Sequence, residues 1–279
     1  MRTVTFRSVL WGLATMAGMD PRVDLMGNQA AAFTEYINTR LREFWLKFEC
    51  PDLEDVEERA FADDYDSTVS YEADAVVWSP DDGKYYKAKT SSLGESLSDE
   101  NYWEETADID RIIPLEQVGK TSFGEILEVY AEDPETKENP LKVSWLETRK
   151  GIRVYDIVKT VWVRFQLWPA VFTSEAWLPS VDYSVGDLVY NSTTGECYKA
   201  KVVNSNTDTL DSAIWEKIDF PEVLSAIVKR AAFSDVLREE GQPDKATIEE
   251  QVAEDLFIQE TDRYTLRRGA TSRFTARVK

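Results

Sequence analysis

Two stretches, AVVWSPDDGKYYKAK at residues 75–89 and DLVYNSTTGECYKAK at residues 187–201, decide how this chain is organised. They align without a gap at a constant offset of 112 positions. Tyr71 matches Tyr183, Val77 matches Val189, Gly83 matches Gly195, Tyr86 to Lys89 match Tyr198 to Lys201, and Trp103 matches Trp215. Unrelated β-hairpins would not hold one register this long, so the chain carries an internal repeat. Only two copies exist, and a long unrelated stretch separates them, which excludes a solenoid and points to two inserted modules. In each copy, β-branched and aromatic residues flank a turn that ends in Gly, SPDDG in the first and NSTTG in the second. That is a strand–turn–strand signal.

Working outward, residues 107–175 break into short β-branched and aromatic runs separated by Gly, Pro and Asn: IDRIIPLEQV, GEILEVYAED, LKVSWLET, GIRVYDI and TVWVRFQL. This spacing predicts an antiparallel sheet, with DPETKENP at 133–140 as a connection between strands. Residues 1–66 read as an N-terminal helical part. In NQAAAFTEYINTRLREFWLKFE, Ala32, Phe33, Tyr36, Ile37, Leu41, Phe44, Trp45 and Phe48 form one wide apolar stripe, and Pro51 stops it. The acidic DLEDVEERAF is expected to lead out of that part. Arg2 and Arg7 before VLWGLATMAG resemble a secretion signal, but Val9, Leu10, Leu13, Met16 and Ala17 share one helical face, and Asp20-Pro21 ends it as a helix boundary would. The helical reading is therefore preferred.

Helices return at 219–265. PEVLSAIVKRAAFSDVLREE runs from Pro221 to a stop at Gly241, and the next segment carries Ile248, Val252, Leu256 and Ile258 as its expected apolar side. Residues 266–279 form a basic tail. The division is 1–66, module 67–106, β domain 107–175, module 176–218, helices 219–265 and tail 266–279. The expected fold class is α+β: terminal helices forming one bundle, a central antiparallel β domain and two small repeated β modules. The motivation for the bundle is that neither helical set alone buries much core.

Composition restricts function. Histidine is absent, which removes Ser-His-Asp and Cys-His catalysis and every His-ligated metal site. Cys50 and Cys197 show no metal or redox spacing and are expected as two reduced thiols. Acid pairs (Asp63-Asp64, Asp81-Asp82, Glu104-Glu105, Glu239-Glu240, Glu249-Glu250) sit in charged or turn-like runs with no nucleophile or phosphate loop beside them. The expectation is a non-enzyme without cofactor or metal. A net charge of −20 opposes tight DNA binding, and no apolar run reaches membrane-spanning length. Against that charge, Arg263, Arg267, Arg268, Arg273, Arg277 and Lys279 follow Asp262 with no acid among them, and read as a docking arm for a neighbouring protein.

The repeat resembles the small chitin- and cellulose-binding modules found on chitinases. Copy 2 follows their pattern with Tyr183, Gly186-Asp187, Val189-Tyr190, Gly195, Tyr198, Ala200 and Trp215. Copy 1 keeps Tyr71, Val77-Trp78, Gly83, Tyr86, Ala88 and Trp103 but has Asp74-Ala75 in place of Gly-Asp. The resemblance implies surface aromatics that stack on sugars. The same residues (Tyr71, Trp78, Tyr86, Trp103, Tyr183, Tyr190, Tyr198 and Trp215) are also the ones a module this small needs for a core, and core use is the expectation.

Outside the modules the chain resembles tailed-bacteriophage head–tail connector (adaptor or neck) proteins. FTEYINTRLREFWLKFECPDLEDVEERAF is similar to their opening helices, with Cys50 where Trp is usual. AEDPETKENPLKVSWLETRKGIRV and TVWVRFQLWPAVFT resemble their strands, and AAFSDVLREEGQPDKATIEEQVAEDLFIQETDR their closing helices. This resemblance implies a virion protein assembled in the host cytoplasm. It implies a homo-oligomeric ring, commonly dodecameric, between the portal protein and the tail or a further neck protein. DNA would pass through without tight binding, and no membrane is involved. The contrasting reading is a secreted or surface glycan-binding protein with two carbohydrate-binding-like modules.

Overall fold

A computed structural model describes residues 2–25, 27–48, 53–106, 111–115, 120–155, 160–205 and 208–275, with side chains to Tyr264. Among the described residues it is a mixed structure of four helices and several small antiparallel sheets. The chain divides into two compact units, one of Met1–Leu53 with Pro169–Lys279 and one of Glu54–Trp168. Each unit contains one copy of the repeat.

In the first unit, helix α1 (Phe6–Met16) begins where the Thr5 hydroxyl accepts the Ser8 N–H at 3.2 Å, which satisfies one free donor of the first turn. It buries Phe6, Val9, Leu10, Leu13 and Ala14. Just before it, Thr3–Val4 pairs antiparallel with Phe220–Pro221. Helix α2 (Asn28–Lys47) buries Phe33, Ile37, Leu41, Phe44 and Trp45, the spacing of the expected stripe. Helix α3 (Glu222–Glu239) buries Leu224, Ile227, Val228, Ala231, Ala232, Ser234, Val236 and Leu237. These positions cover nearly its whole circumference, as in a helix enclosed by neighbours. A three-residue turn at 240–242, in which Gln242 N–H reaches Leu237 C=O at 2.8 Å, leads into helix α4 (Pro243–Thr275).

Charge ties these helices together. The Arg40 guanidinium on α2 grips the Asp235 carboxylate of α3 through two bonds, at 2.7 and 2.6 Å, and reaches Glu250 of α4 at 3.4 Å. Phe44 and Phe48 lie 5.3 and 5.6 Å from the Phe257 ring of α4. Two details of α4 differ from expectation. Ile248 and Ile258 are exposed, whereas Ala246 and Ala253 are fully buried. Val252 and Leu256 are half-buried at the edge of the true contact face, where small residues permit close approach to α3, and Ile248 and Ile258 lie beyond it. The helix also continues through Thr275, past the boundary expected at 265.

The second unit corrects the N-terminal boundary. Residues 54–60, expected within a helical part reaching 66, form strand Glu54–Ala60 instead. It pairs in continuous register with Thr160–Gln166, Glu54 opposite Gln166 and Ala60 opposite Thr160. Pairing with the apolar strand TVWVRFQ overrides the helical preference of a Glu-rich segment. Thr160–Gln166 alternates, with Val161, Val163 and Phe165 fully buried. Its other neighbour is Ile126–Tyr130. A second three-stranded sheet joins Ile112–Ile113, Gly151–Val154 and Trp145–Thr148. Ile113, Ile152 and Val154 from this sheet share one core with Ile126, Val129, Val161, Val163 and Phe165 from the first. The DPETKENP segment connects strands as expected: Ala131 N–H meets Leu141 C=O at 2.9 Å and Val143 N–H meets Val129 C=O at 2.9 Å.

Candidate functional site: the paired modules and the C-terminal arm

Every strand of module 1 recurs in module 2 at the same offset of 112 positions. Ser70–Tyr71, Val76–Ser79, Lys84–Ala88, Ser92–Leu93 and Trp103–Thr106 become Asp182–Tyr183, Leu188–Asn191, Glu196–Ala200, Asn204–Ser205 and Trp215–Ile218. Registers repeat as well: Val77 opposes Tyr86 as Val189 opposes Tyr198, and Ala88 opposes Trp103 as Ala200 opposes Trp215. The repeat begins earlier than 67 and 176. Trp78 N–H bonds Asp63 C=O at 2.9 Å and Tyr65 N–H bonds Trp78 C=O at 2.8 Å; Tyr190–Glu175 and Trp177–Tyr190 match them at 2.6 and 2.9 Å. Tyr65 and Trp177 thus hold one structural position. The shared aromatic character there, with Val69 matching Val181, is a signal that identity matching from Tyr71 onward passes over.

Strand alternation gives each three-stranded sheet two faces with different duties. One face makes the module core. In module 1 this is Val77, Ala88 and Trp103, packed with Tyr65, Tyr71 and Tyr86. In module 2 it is Tyr183, Val189, Tyr198, Ala200 and Trp215, packed with Trp177. Tyr71 stands edge-on to Trp103 at 5.5 Å, and Tyr183 edge-on to Trp215 at 5.2 Å. The Tyr71 hydroxyl accepts Asp66 N–H, and the Tyr183 hydroxyl accepts Leu178 N–H, both at 2.8 Å.

The opposite face is covered too. In module 1, Trp78 and Tyr85 form an edge-on pair at 4.7 Å and are nearly buried. In module 2 the corresponding residues are Tyr190 and Cys197. Phe6 of α1 stands edge-on to Tyr190 at 6.2 Å and stacks on Phe172 at 4.8 Å, which in turn meets Phe220 at 5.1 Å. Arg7 Nε donates to the Tyr190 hydroxyl at 3.3 Å, and Arg7 N–H donates to Gly195 C=O at 2.9 Å. The module is therefore seated on the start of α1. Burial pushes the Cys197 thiol up to about 12, and its S–H donates to Thr173 C=O at 3.3 Å. Burial also pushes the Tyr85 hydroxyl up to about 12. Both seats hold neutral, unreactive groups. Cys50 lies outside the described residues.

The eight singled-out aromatics are thus placed as follows. Trp78, Trp103, Tyr183, Tyr198 and Trp215 are buried, and Tyr71, Tyr86 and Tyr190 are half-buried. None of the eight is fully exposed. The Gly-Asp departure of copy 1 has a backbone consequence. Gly186 has φ 95°, and Asp74 holds the same left-handed region at φ 70°, unlike every other described non-glycine residue. The shape is kept although the residue is less suited to it.

Of the C-terminal cations, Arg263 is exposed on α4 and pairs with Glu260 at 3.4 Å. Arg267, Arg268 and Arg273 lie within the helical span of α4. Arg277 and Lys279 fall outside the described residues. Among the described residues no group of His, Cys, Asp or Glu could hold a metal ion, and no helix is long and apolar enough to cross a membrane. No protein-family model matches the sequence, and no curated protein matches it.

Proposed function

We propose that the chain is a structural virion protein, a head-to-tail connector that forms a ring between portal and tail around the DNA channel. The observation that carries this reading is the tie between the chain ends. Arg40 of α2 reaches Asp235 of α3 and Glu250 of α4, and Phe44 meets Phe257. On this reading the terminal helices form one bundle, the resemblance to connector proteins lies in that bundle and the β domain, and the two modules are insertions. Their aromatic residues serve cores and seats, which favours a structural appendage over a glycan-binding protein. A net charge of −20 suits a conduit that must not hold its DNA. The basic C-terminal segment is the arm that docks the portal or a neighbouring subunit, and its contact weakens with salt.

The test is attachment. Purified protein is added to portal or to DNA-filled heads, beside a chain lacking residues 266–279. The reading expects the full chain to attach in a salt-sensitive way and the shortened chain to lose attachment. A full chain that ignores portal and heads but is retained on insoluble chitin or cellulose would replace the connector with the glycan-binding reading.

A further inference from the structure

Among the described residues, module 2 exposes six large apolar side chains where module 1 exposes two, Val69 and Leu93. Leu178, Val181, Val185, Val202, Val203 and Leu210 are between 38% and 74% exposed. The matching positions of module 1 hold Asp66, Val69, Ala73, Thr90, Ser91 and Ser98. Module 1 forms the same strands and registers with a large apolar side chain at only one of these six positions, Val69, so the fold does not require the other five. Where such side chains meet in one groove without a folding role, burying them against a partner is favourable.

Leu178 and Val181 border a groove of about 870 Å³ whose lining residues all fall between Val171 and Val189. Three carboxylates line it (Glu175, Asp182 and Asp187) and no Lys or Arg does. We propose that this groove receives the C-terminal segment, Arg263–Lys279, of a second copy of the chain. The segment supplies the complementary chemistry: six cations without an acid, interleaved with Leu266, Phe274 and Val278. Charge pairing between a cationic strand and an acidic groove favours encounter and sets orientation, and apolar side chains supply the contact area.

Helix lengths agree. α3 has 18 residues and α4 has 33, so by the helical rise they span about 27 and 50 Å. α2 accompanies α4 as far as Tyr264, whose ring lies 5.5 Å from Phe48. α4 then continues to Thr275, about 16 Å further. The segment thus extends, as far as Thr275, beyond the part of α4 that α2 accompanies. The inference deepens the connector reading, on which it rests, by naming what one subunit grips on the next.

The experiment uses the full chain with a photoreactive benzoylphenylalanine at Phe274, mixed in equal parts with full chain carrying heavy isotopes. Illumination should give mixed-isotope cross-links from position 274 to peptides spanning 171–189. Their yield should fall roughly tenfold in a Leu178→Ser, Asp182→Ser chain and at high salt. Module 1 has Asp66 and Ser70 at those two positions, so the scaffold tolerates polar residues there. Asp182→Asn alone provides a milder variant with the same direction of effect. Cross-links confined to single copies, cross-links outside 171–189, or a yield unchanged by the groove substitutions would each overturn the inference. Attachment to portal without groove cross-links would sink the inference and leave the connector standing; mixed groove cross-links in a protein that ignores the portal would do the reverse.

Discussion

In module 1 the seated face is Trp78 against Tyr85, two large rings 4.7 Å apart. In module 2 the same positions hold Tyr190 and Cys197, and Phe6 and Arg7 of α1 occupy the room that the smaller pair leaves. The core faces hardly differ, with Tyr71–Trp103 and Tyr183–Trp215 meeting at 73° and 72°. The difference teaches where a small β module is constrained. Its inner face must satisfy its own few side chains. Its outer face has only to fit a host, so size is exchanged freely between the module and whatever it sits on.

The largest expected effect tests the shared core. Trp103→Ala and Trp215→Ala should each destabilise the host unit by about 3–5 kcal/mol, the cost of truncating a buried large aromatic. Chemical denaturation followed by the remaining Trp fluorescence measures this. A Trp215→Ala protein of unchanged stability that loses affinity for an insoluble polysaccharide would transfer the residue from core to binding face.

Next come the turn glycines, where the modules should part. Gly83 and Gly195 both have positive φ, at 69° and 80°. A Cβ at Gly83 would come no nearer than 3.9 Å to Trp78, but at Gly195 it would lie 2.8 Å from the Arg7 Cβ. Gly83→Ala should cost about 1 kcal/mol from backbone strain alone. Gly195→Ala should cost roughly 1–3 kcal/mol, because the seat on α1 must also shift. Equal losses at the two sites would remove the claim that module 2 is pinned to α1 through its turn.

A smaller effect, of opposite sign, is expected at Asp74. Asp74→Gly relieves the left-handed conformation and should stabilise the second unit by about 0.5–1 kcal/mol. The Lys87–Asp74 ion pair that it removes is well exposed and contributes little. The matching change in module 2, Gly186→Asp, should destabilise by a similar amount in the same denaturation assay.

A further effect, confined to alkaline pH, concerns the Cys197 thiol. The Cys197 thiol ordinarily titrates at 9.0 and is pushed up to about 12 by burial. Folded protein therefore keeps a proton that the unfolded chain loses, so this contribution is whole below about pH 9 and is lost as pH rises toward 12. For Tyr85, raised from 10.0 to about 12, the window opens later. Cys197→Val should flatten the alkaline fall in stability of the first unit from pH 9 upward, measured as denaturation midpoint against pH. An unchanged slope would mean that the thiol is not held neutral by its seat.

Much of this architecture was legible in residue spacing. Exact repetition of Val77, Gly83, Tyr86 and Trp103 at Val189, Gly195, Tyr198 and Trp215 carried both modules, because core positions of a small sheet tolerate little substitution. The α2 stripe and the alternation of Val161, Val163 and Phe165 were equally direct. Strand Glu54–Ala60 was hidden because its stabilisation lies 100 to 112 residues away in the ladder with Thr160–Gln166, while its local composition favours helix. The contact face of α4 was hidden because Ala246 and Ala253 mark it by smallness, not by hydrophobic bulk. The seats on Phe6, Phe172 and Phe220 join residues far apart in sequence, and no periodicity announces such a meeting. The apolar surface of module 2 emerges only when the two copies are read position against position.

The central claim is that the chain is a ring-forming connector and that its paired modules are appendages. Electron microscopy of the purified full-length protein, alone and mixed with portal, tests it most directly. The account predicts closed rings, or rings that form upon the portal, with small projections contributed by the modules. A protein that stays monomeric at every concentration and leaves portal rings bare would contradict it.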